Sequence, residues 1–172
     1  MIVPAQVPPP LTLPLVGGGT WDLAQQSPEN FTIIVFYRGK HCPICGGYLP
    51  KVEAAMEEFA EVGADVVAVS MDVEERATAS YSDWGLTTLP VAFGMTAEVA
   101  KAWGLWLSSK REGSSEPNVF AEPGLVVLDK TGKVFFVEVQ NAPFTRPPLD
   151  QLVKGLKYVL DNDYPTRGTY TG

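Results

Sequence analysis

The feature that most constrains the fold is an abrupt change of hydrophobic period between residues 38 and 43. The segment 31–38, FTIIVFYR, is a nearly continuous apolar run with the length of a strand buried on both faces. Beyond Cys45 the apolar residues recur every three or four positions, at Leu49, Val52, Met56 and Phe59. This pattern predicts an amphipathic helix that ends near Gly63 and that Pro50 kinks or shortens. A buried strand that leads directly into a helix is typical of an α/β fold.

Cys42 and Cys45 lie at this junction and are the only cysteines in the chain, and the only histidine, His41, precedes them. A structural zinc site needs about four soft ligands, and the chain has no second CxxC, so we expect no metal and no cofactor. Haem attachment would need a histidine after the second cysteine, where Gly46 stands. The remaining alternatives are a pair of buried, inert thiols and a redox site.

The surroundings of Cys42 favour the redox alternative. The helix N-terminus stabilises a thiolate, and Pro43 suits the first turn because the N–H that it lacks would be unpaired there. Three residues before Cys42 add positive charge: Arg38, Lys40 and His41. A thiolate is the nucleophile of both disulfide and peroxide chemistry. Cys45, about one helical turn further on, can close a disulfide with Cys42 and is expected to be the more buried of the two.

The remaining pattern predicts further strands and helices in alternating order. We expect a short edge strand at 20–23, a strand at 65–72, a helix at 73–84, a short strand at 91–94, a helix at 97–103, a polar loop at 107–118, a hairpin at 124–139 and a closing helix at 149–160. This order indicates a central mixed sheet with helices on both faces. We divide the chain into an extended, Pro- and Gly-rich arm or hairpin (1–19), one domain (20–162) and a tail (163–172).

Composition excludes several classes of function. Hydrophobic residues make up 45% of the chain and charged residues 19%, which is typical of a compact folded domain. The formal net charge of −7 disfavours a nucleic-acid partner, because the phosphate backbone would repel it. No apolar run reaches the ~18 residues that span a bilayer, and the first residues lack the basic segment of a signal peptide. We therefore expect a cytoplasmic protein without a membrane partner, a setting in which a CxxC is more often catalytic than structural.

Five stretches of the sequence, which together cover most of residues 20–160, resemble one known family. FYRGKHCPICGGYLPKV resembles the active-site segment of the thioredoxin-like superfamily. VVAVSMDVEERATASYSDWGL is similar to the peroxiredoxin (AhpC/TSA) strand that ends in Ser-x-Asp and the Trp-containing helix after it, here Ser70, Asp72 and Trp84. TTLPVAF, EVAKAWGL and GLVVLDKTGKVFFVEV resemble, in the family's order, the cis-proline loop, a short helix and the late hairpin.

The resemblance implies a thioredoxin-like fold and a thiol-dependent peroxidase that reduces hydrogen peroxide or alkyl hydroperoxides. Cys42 would become a sulfenic acid, and Cys45 would convert it to a Cys42–Cys45 disulfide that a thioredoxin-like reductant reduces. Pro90 would be cis, and the backbone of Leu89 would be open to pair with a substrate strand. The resemblance also suggests a homodimer.

The chain departs from the family's pattern at two places. Val35 and Gly39 stand where the family carries a proline and the Thr or Ser hydroxyl that helps to hold peroxide. Glu122-Pro123-Gly124 stands where the family has an arginine before the late hairpin. These differences leave two alternatives open. One is a thioredoxin-like thiol–disulfide oxidoreductase without specific peroxidase activity, and the other is a redox-silent interaction domain on the same scaffold.

Overall fold

The strand Phe31–Phe36 is the centre of the structure, because all six of its residues are buried. The computed structural model describes residues 2–170. Its first elements are β1 (Thr12–Pro14), β2 (Thr20–Asp22), β3 (Phe31–Phe36), α1 (Pro43–Ala54), α2 (Met56–Glu61), β4 (Ala64–Val69) and α3 (Glu74–Asp83). The remaining ones are β5 (Val91–Ala92), α4 (Ala97–Ala102), β6 (Leu107–Ser109), β7 (Val119–Ala121), β8 (Gly124–Asp129), β9 (Val134–Val139) and α5 (Leu149–Asn162). Among residues 2–170, no helix is long and apolar enough to cross a membrane.

The main sheet has five strands in the order β5-β4-β3-β8-β9. Strand β3 runs parallel to β4 and antiparallel to β8, and β8 and β9 form the predicted hairpin. The parallel pairs connect through helices, as parallel strands require, whereas β8 and β9 need only a tight turn. The predicted α/β architecture, a central mixed sheet flanked by helices, is confirmed.

Both faces of β3 are covered, and its alternate residues pack into different core clusters. Ile33 and Val35 belong to the cluster to which α1, α2 and α5 contribute. Ile34 and Phe36 belong to the other cluster, where the rings of Phe36 and Trp103 lie 5.4 Å apart between centroids. Because β3 is enclosed in this way, the position at which it ends, and at which the cysteines follow, is fixed by the core.

The first residues of the chain are part of the second core cluster. Leu11 and Leu13 are buried, and β1 pairs with β2 in an antiparallel ladder. The N–H of Val16 donates to the carbonyl of Val91 at 2.9 Å, which ties the segment after β1 to the edge strand β5. The division of the chain into arm, domain and tail stays a prediction.

Two predicted regions differ from the structure in the elements that they contain. The expected single helix after the cysteines is two helices, α1 and α2, separated at Ala55. Pro50 lies inside α1 about one turn before the break and has no N–H to donate to the helix ladder. The polar loop expected at 107–118 begins later, because Leu107–Ser109 forms a strand with Val119–Ala121. This strand pairing joins segments on either side of the loop. The hydrophobic periodicity of the two short segments does not indicate it.

The link between α3 and β5 is fixed by the carboxylate of Glu53. Its Oε2 accepts hydrogen bonds from the N–H groups of Leu89 at 3.0 Å and Thr88 at 3.2 Å, and Oε1 accepts from the Thr87 hydroxyl at 2.8 Å. The Leu89 N–H is therefore already bonded and is not open to a substrate strand. The expectation for the rest of the Leu89 backbone stays a prediction.

The peptide bond before Pro90 also differs from the prediction. Residues 2–170 contain no cis peptide bond, so the prediction of a cis Pro90 is wrong. The Pro90 carbonyl accepts a hydrogen bond from the N–H of Ala68 at 2.9 Å, and the trans chain continues directly into β5. Both sides of this bond are thus held by contacts that sequence reasoning did not anticipate.

We expect the substitution Glu53→Gln to lower the free energy of unfolding by about 1–2 kcal/mol at pH 7, because it weakens several hydrogen bonds to a charged acceptor. Burial raises the pKa of Glu53, but the N–H groups of Leu89 and Thr87 and the Thr87 hydroxyl outweigh it, so the net direction is downward. The stabilisation is therefore present at neutral pH and is lost as the pH falls through that lowered pKa. Denaturant unfolding at neutral and acidic pH measures both effects.

The exposed Glu57, for which the structure gives no side-chain hydrogen bond or ion pair, provides the control. Glu57→Gln is expected to change the stability by no more than about 0.5 kcal/mol. Equal losses in the two variants would contradict the role given to Glu53.

Candidate active site

Cys42 and Cys45 lie at the start of α1, directly after the end of the central strand. Cys42 is the N-cap of the helix, and its Sγ accepts a hydrogen bond from the N–H of Cys45 at 3.4 Å. Both are free thiols, with 1% of Cys42 and 0% of Cys45 exposed. Pro43 occupies the first helical turn. The strand-to-helix position deduced from the sequence is therefore confirmed, and Cys45 is the more deeply buried thiol, as expected.

The contacts of Cys42 lower the pKa of its thiol to about 6. The largest cause is a hydrogen bond from the side chain of Cys45, and burial acts in the opposite direction. The N–H of Cys45 and the guanidinium of Arg38 lower the pKa further. At neutral pH Cys42 is therefore mostly a thiolate, the form that reacts with peroxides and disulfides.

The pKa of the Cys45 thiol moves in the opposite direction. The interaction with Cys42 raises it most, and burial raises it further. Arg146 opposes both effects, and its Nη2 donates a hydrogen bond to Cys45 Sγ at 3.2 Å. The two thiols titrate as a coupled pair that holds one negative charge, on Cys42, at neutral pH.

Arg38 is the cation that acts on Cys42, and two buried carboxylates hold its guanidinium. Nε lies 3.1 Å from Glu122 Oε2, and Nη2 lies 3.6 Å from Glu116 Oε1. The guanidinium carbon lies 4.7 Å from the centroid of the Phe120 ring, and Ser108 donates to Glu122 at 2.6 Å. These three partners of Arg38, and Ser108 with them, come from the segment that contains β6, β7 and the residues around them. The orientation of Arg38 is therefore set by that segment.

The two other basic residues of the predicted cluster have partners of their own. Lys40 Nζ forms an ion pair with Asp83 at the end of α3. Burial, and next the charge of Arg38, lower the pKa of His41. The His41 ring packs on Phe120 with 4.6 Å between centroids. Of the three basic residues, Arg38 is a main cause of the lowered pKa of Cys42, and a contribution from Lys40 and His41 stays a prediction.

Gly39 adopts a backbone conformation that excludes most other residues. Its φ is +121°, and a Cβ placed on it would lie 2.6 Å from a carboxylate oxygen of Asp72. Asp72 is buried and accepts hydrogen bonds from the N–H of Lys40 at 2.7 Å and from Arg76 Nε at 3.0 Å. The hydroxyl that the family carries at this position has no space here.

The structure brings together only part of the predicted set of supporting residues. Leu89 packs in the same core cluster as the two cysteines. Pro90 instead borders a separate cavity of about 250 Å³ that is also lined by Trp21 and Met56. Residues 2–170 contain no group of three or more His, Cys, Asp or Glu side chains that could hold a metal ion.

Four residues that contact the site were missed as contributors. They are Arg146, Glu116, Phe120 and Glu122. Arg146 lies 101 positions from Cys45 in the chain. The only signal in the sequence was the stretch 122–124, which was recognised as a departure from the family's pattern but not as a partner of Arg38.

A model of the AhpC/TSA family matches residues 4–137. The chain belongs to the AhpC/TSA family. Its fold is similar to that of peroxidoxin BcpB from Mycobacterium tuberculosis, with a TM-score of 0.73, 19% identity and coverage of 92% of this chain and 99% of that one. PrxQ of Xylella fastidiosa gives a TM-score of 0.71 and 16% identity, with 90% of this chain and 97% of that chain covered.

AhpC of Mycobacterium tuberculosis gives a TM-score of 0.69 and 14% identity, with 95% of each chain covered. A search of the curated proteins found no match. The resemblance deduced from the sequence motifs is therefore confirmed, and the solved structures show that the thioredoxin-like peroxiredoxin fold is shared. This AhpC/TSA protein is an oxidoreductase by family.

We expect the alkylation rate of Cys42 to rise with pH about a midpoint near 6, against about 8.5 for an ordinary thiol. Cys45→Ala removes the largest cause of the lowered pKa and is expected to raise the midpoint. Cys45→Ser keeps a hydroxyl donor at the same position and is expected to raise it less. Iodoacetamide labelling followed by mass spectrometry over a pH series measures the midpoints. A wild-type midpoint near that of an ordinary thiol would contradict the description of Cys42 as a thiolate.

We expect Gly39→Thr to destabilise this AhpC/TSA protein by about 3 kcal/mol, because the left-handed conformation is strained for threonine and its Cβ would overlap Asp72. Gly47→Ala is the control, since Gly47 lies inside α1 with no atom within 4 Å of an added Cβ. That substitution is expected to stabilise the protein by roughly 0.5–1 kcal/mol. Thermal unfolding measures both changes. A Gly39→Thr variant as stable as the wild type would show that the loop can rearrange to accept the hydroxyl.

Proposed function

We propose that this AhpC/TSA protein is a thiol-dependent peroxidase whose nucleophile is Cys42. The observation that supports this most strongly is a low-pKa thiolate, at the N-terminus of α1, beside the oriented guanidinium of Arg38. Attack on a peroxide places negative charge on the leaving oxygen, and oriented donors stabilise such charge. Arg38 supplies a donor at a site that lacks the hydroxyl of the family's pattern.

The reaction has two chemical steps before the protein is regenerated. The Cys42 thiolate attacks one peroxide oxygen, an S–O bond forms as the O–O bond breaks, and the leaving alkoxide or hydroxide takes up a proton. This oxidises Cys42 to a sulfenic acid and reduces the peroxide to an alcohol or water. The Cys45 thiol then loses its proton, its sulfur attacks Cys42 as the S–O bond breaks, and the departing hydroxide takes up that proton. This gives a Cys42–Cys45 disulfide and one water.

The burial of Cys42 favours small substrates. Only 1% of the residue is exposed, and attack needs the substrate atoms in line with the sulfur. Hydrogen peroxide and small alkyl hydroperoxides fit this requirement better than a folded protein with a disulfide on its surface. The burial therefore favours peroxidase activity over the alternative of a general thiol–disulfide oxidoreductase.

The disulfide must be reduced by an external dithiol, and we infer a thioredoxin-like reductant. Because both sulfurs are buried, the start of α1 has to open locally before such a protein can attack the Cys42–Cys45 bond. A homodimer and a cytoplasmic location stay predictions. Sedimentation of the reduced and oxidised protein tests the first of them.

The decisive experiment is rapid mixing of the reduced protein with hydrogen peroxide. We expect the wild type to react at least ~10²-fold faster than free cysteine at pH 7, because its thiolate fraction is roughly 30-fold larger and a donor is in place. Cys42→Ser is expected to abolish the reaction. Cys45→Ser is expected to keep the first step and to accumulate a sulfenic acid that dimedone traps.

Two results would reject the proposal. A wild-type rate no faster than that of free cysteine, together with rapid Cys42-dependent reduction of insulin disulfides, would favour the thiol–disulfide oxidoreductase. Slow reactions in both assays would favour a redox-silent domain.

A further inference from the structure

The contact between Arg146 and Cys45 is not explained by the reaction of Cys42 alone. Arg146 Nη2 donates to Cys45 Sγ at 3.2 Å, and the guanidinium carbon lies 5.4 Å from the centroid of the Tyr48 ring. The Tyr48 hydroxyl donates to the carbonyl of Pro147 at 3.0 Å, which fixes the segment that carries the arginine. The second cysteine therefore has a fixed cation of its own.

Arg146 has no ion-pair partner among residues 2–170. Glu138 lines the same small cavity without forming an ion pair with it. Arg38, by contrast, is paired with two glutamates. A cation in contact with a buried sulfur stabilises a negative charge on that sulfur. Arg146 is partly exposed, but the Cys45 sulfur that it touches is shielded from water.

Five groups determine when Cys45 can carry that charge. Cys42 and Arg146 face its sulfur directly, the backbone of Arg38 also lies against it, and the buried Tyr37 interacts with it. Glu138 acts on the neighbouring Tyr48 from the side of β9. Of these groups only Cys42 changes its charge in the reaction, from thiolate to neutral sulfenic acid. Oxidation therefore removes the charge that most strongly keeps Cys45 protonated and leaves Arg146 as its nearest charge.

We propose that Arg146 is a catalytic residue that stabilises the Cys45 thiolate once Cys42 has been oxidised. Cys45 loses its proton, its sulfur attacks Cys42 Sγ, the S–S bond forms as the S–O bond of the sulfenic acid breaks, and the departing hydroxide leaves as water with the proton from Cys45. Cys42 acts first because it is the thiolate in the reduced protein, and Cys45 becomes the nucleophile only afterwards. This inference rests on the proposed function for its oxidant, a peroxide, but the Cys42 sulfur loses its negative charge in the same way in any covalent adduct formed on that sulfur.

Two assays separate the inference from the proposed function. In the first, peroxide oxidises Cys42, and the change in tryptophan fluorescence and dimedone trapping follow the formation and loss of the sulfenic acid. In the second, dithiobis(nitrobenzoate) replaces peroxide. The Cys42 thiolate releases one nitrothiobenzoate and forms a mixed disulfide, and Cys45 then attacks Cys42 Sγ and releases the other. The second assay reports on Cys45 even if the protein does not reduce peroxides.

In both assays we expect Arg146→Gln to slow the second phase about tenfold and to move its half-maximal pH upward, because the Cys45 thiolate loses its cation. The first phase is expected to stay within about twofold of the wild type. Arg146→Lys keeps the charge, is expected to recover part of the second-phase rate, and remains informative if Arg146→Gln folds poorly. Lys51→Gln removes a cation from the same groove of about 690 Å³ that Arg146 lines, and is expected to change neither phase.

A second phase with unchanged rate in folded Arg146→Gln would overturn the inference. Equal slowing of both phases would also overturn it, because Arg146 would then act on Cys42. A slow first phase with peroxide in the wild type would reject the proposal that the protein is a peroxidase. If the second phase with dithiobis(nitrobenzoate) still depended on Arg146, the inference about Cys45 would stand.

Discussion

The main-chain N–H of Cys45 holds the sulfur of Cys42 at the start of α1, and the rest of the site is arranged around this contact. The contact depends on the sheet, because β3 is buried on both faces and delivers the chain to one place only. Burial by itself would favour the neutral thiol. The lowered pKa of Cys42 therefore depends on the side chain and N–H of Cys45 and on Arg38, which together outweigh that effect.

The two arginines of the site differ in how much of their charge is available. Arg38 lies between Glu116 and Glu122, so its net electrostatic effect is reduced while its direction is fixed. That combination suits a hydrogen-bond donor to a small substrate, whose position matters more than long-range attraction. Arg146 has no carboxylate partner in the described part of the chain and touches a sulfur that is neutral in the reduced protein. The charge of Arg146 stabilises that sulfur only after it ionises, which is the second step of the proposed reaction. The fixed, carboxylate-paired Arg38 serves the first step, and Arg146 serves the second.

The local pattern of apolar residues was sufficient to predict the architecture and the position of the cysteine pair. It was not sufficient to predict which side chains contact the two cysteines. The change of period after residue 38 fixes β3 and α1, and those elements place Cys42 at a helix start wherever the rest of the chain lies. The direction of a side chain depends on contacts from distant segments. Lys40 was expected to face the cysteines because it is near them in sequence, but Asp83 draws it towards α3. Arg146 reaches Cys45 across 101 positions, and such a pairing is specified by the packed fold and not by spacing.

The absent hydroxyl and the absent arginine of the family's pattern are physically connected. Asp72 fills the space beside Gly39 and accepts the N–H of Lys40, so the loop before Cys42 is held by a buried carboxylate and cannot accept a Cβ without losing that bond. A donor for the leaving oxygen must then come from the end of β3, where Arg38 stands. An arginine at 122–124 would repel Arg38 across a short distance, whereas Glu122 holds it at 3.1 Å. The carboxylate in that stretch therefore holds the cation of Arg38 at the end of β3. Restoring either family residue alone would remove a contact on which the present arrangement depends.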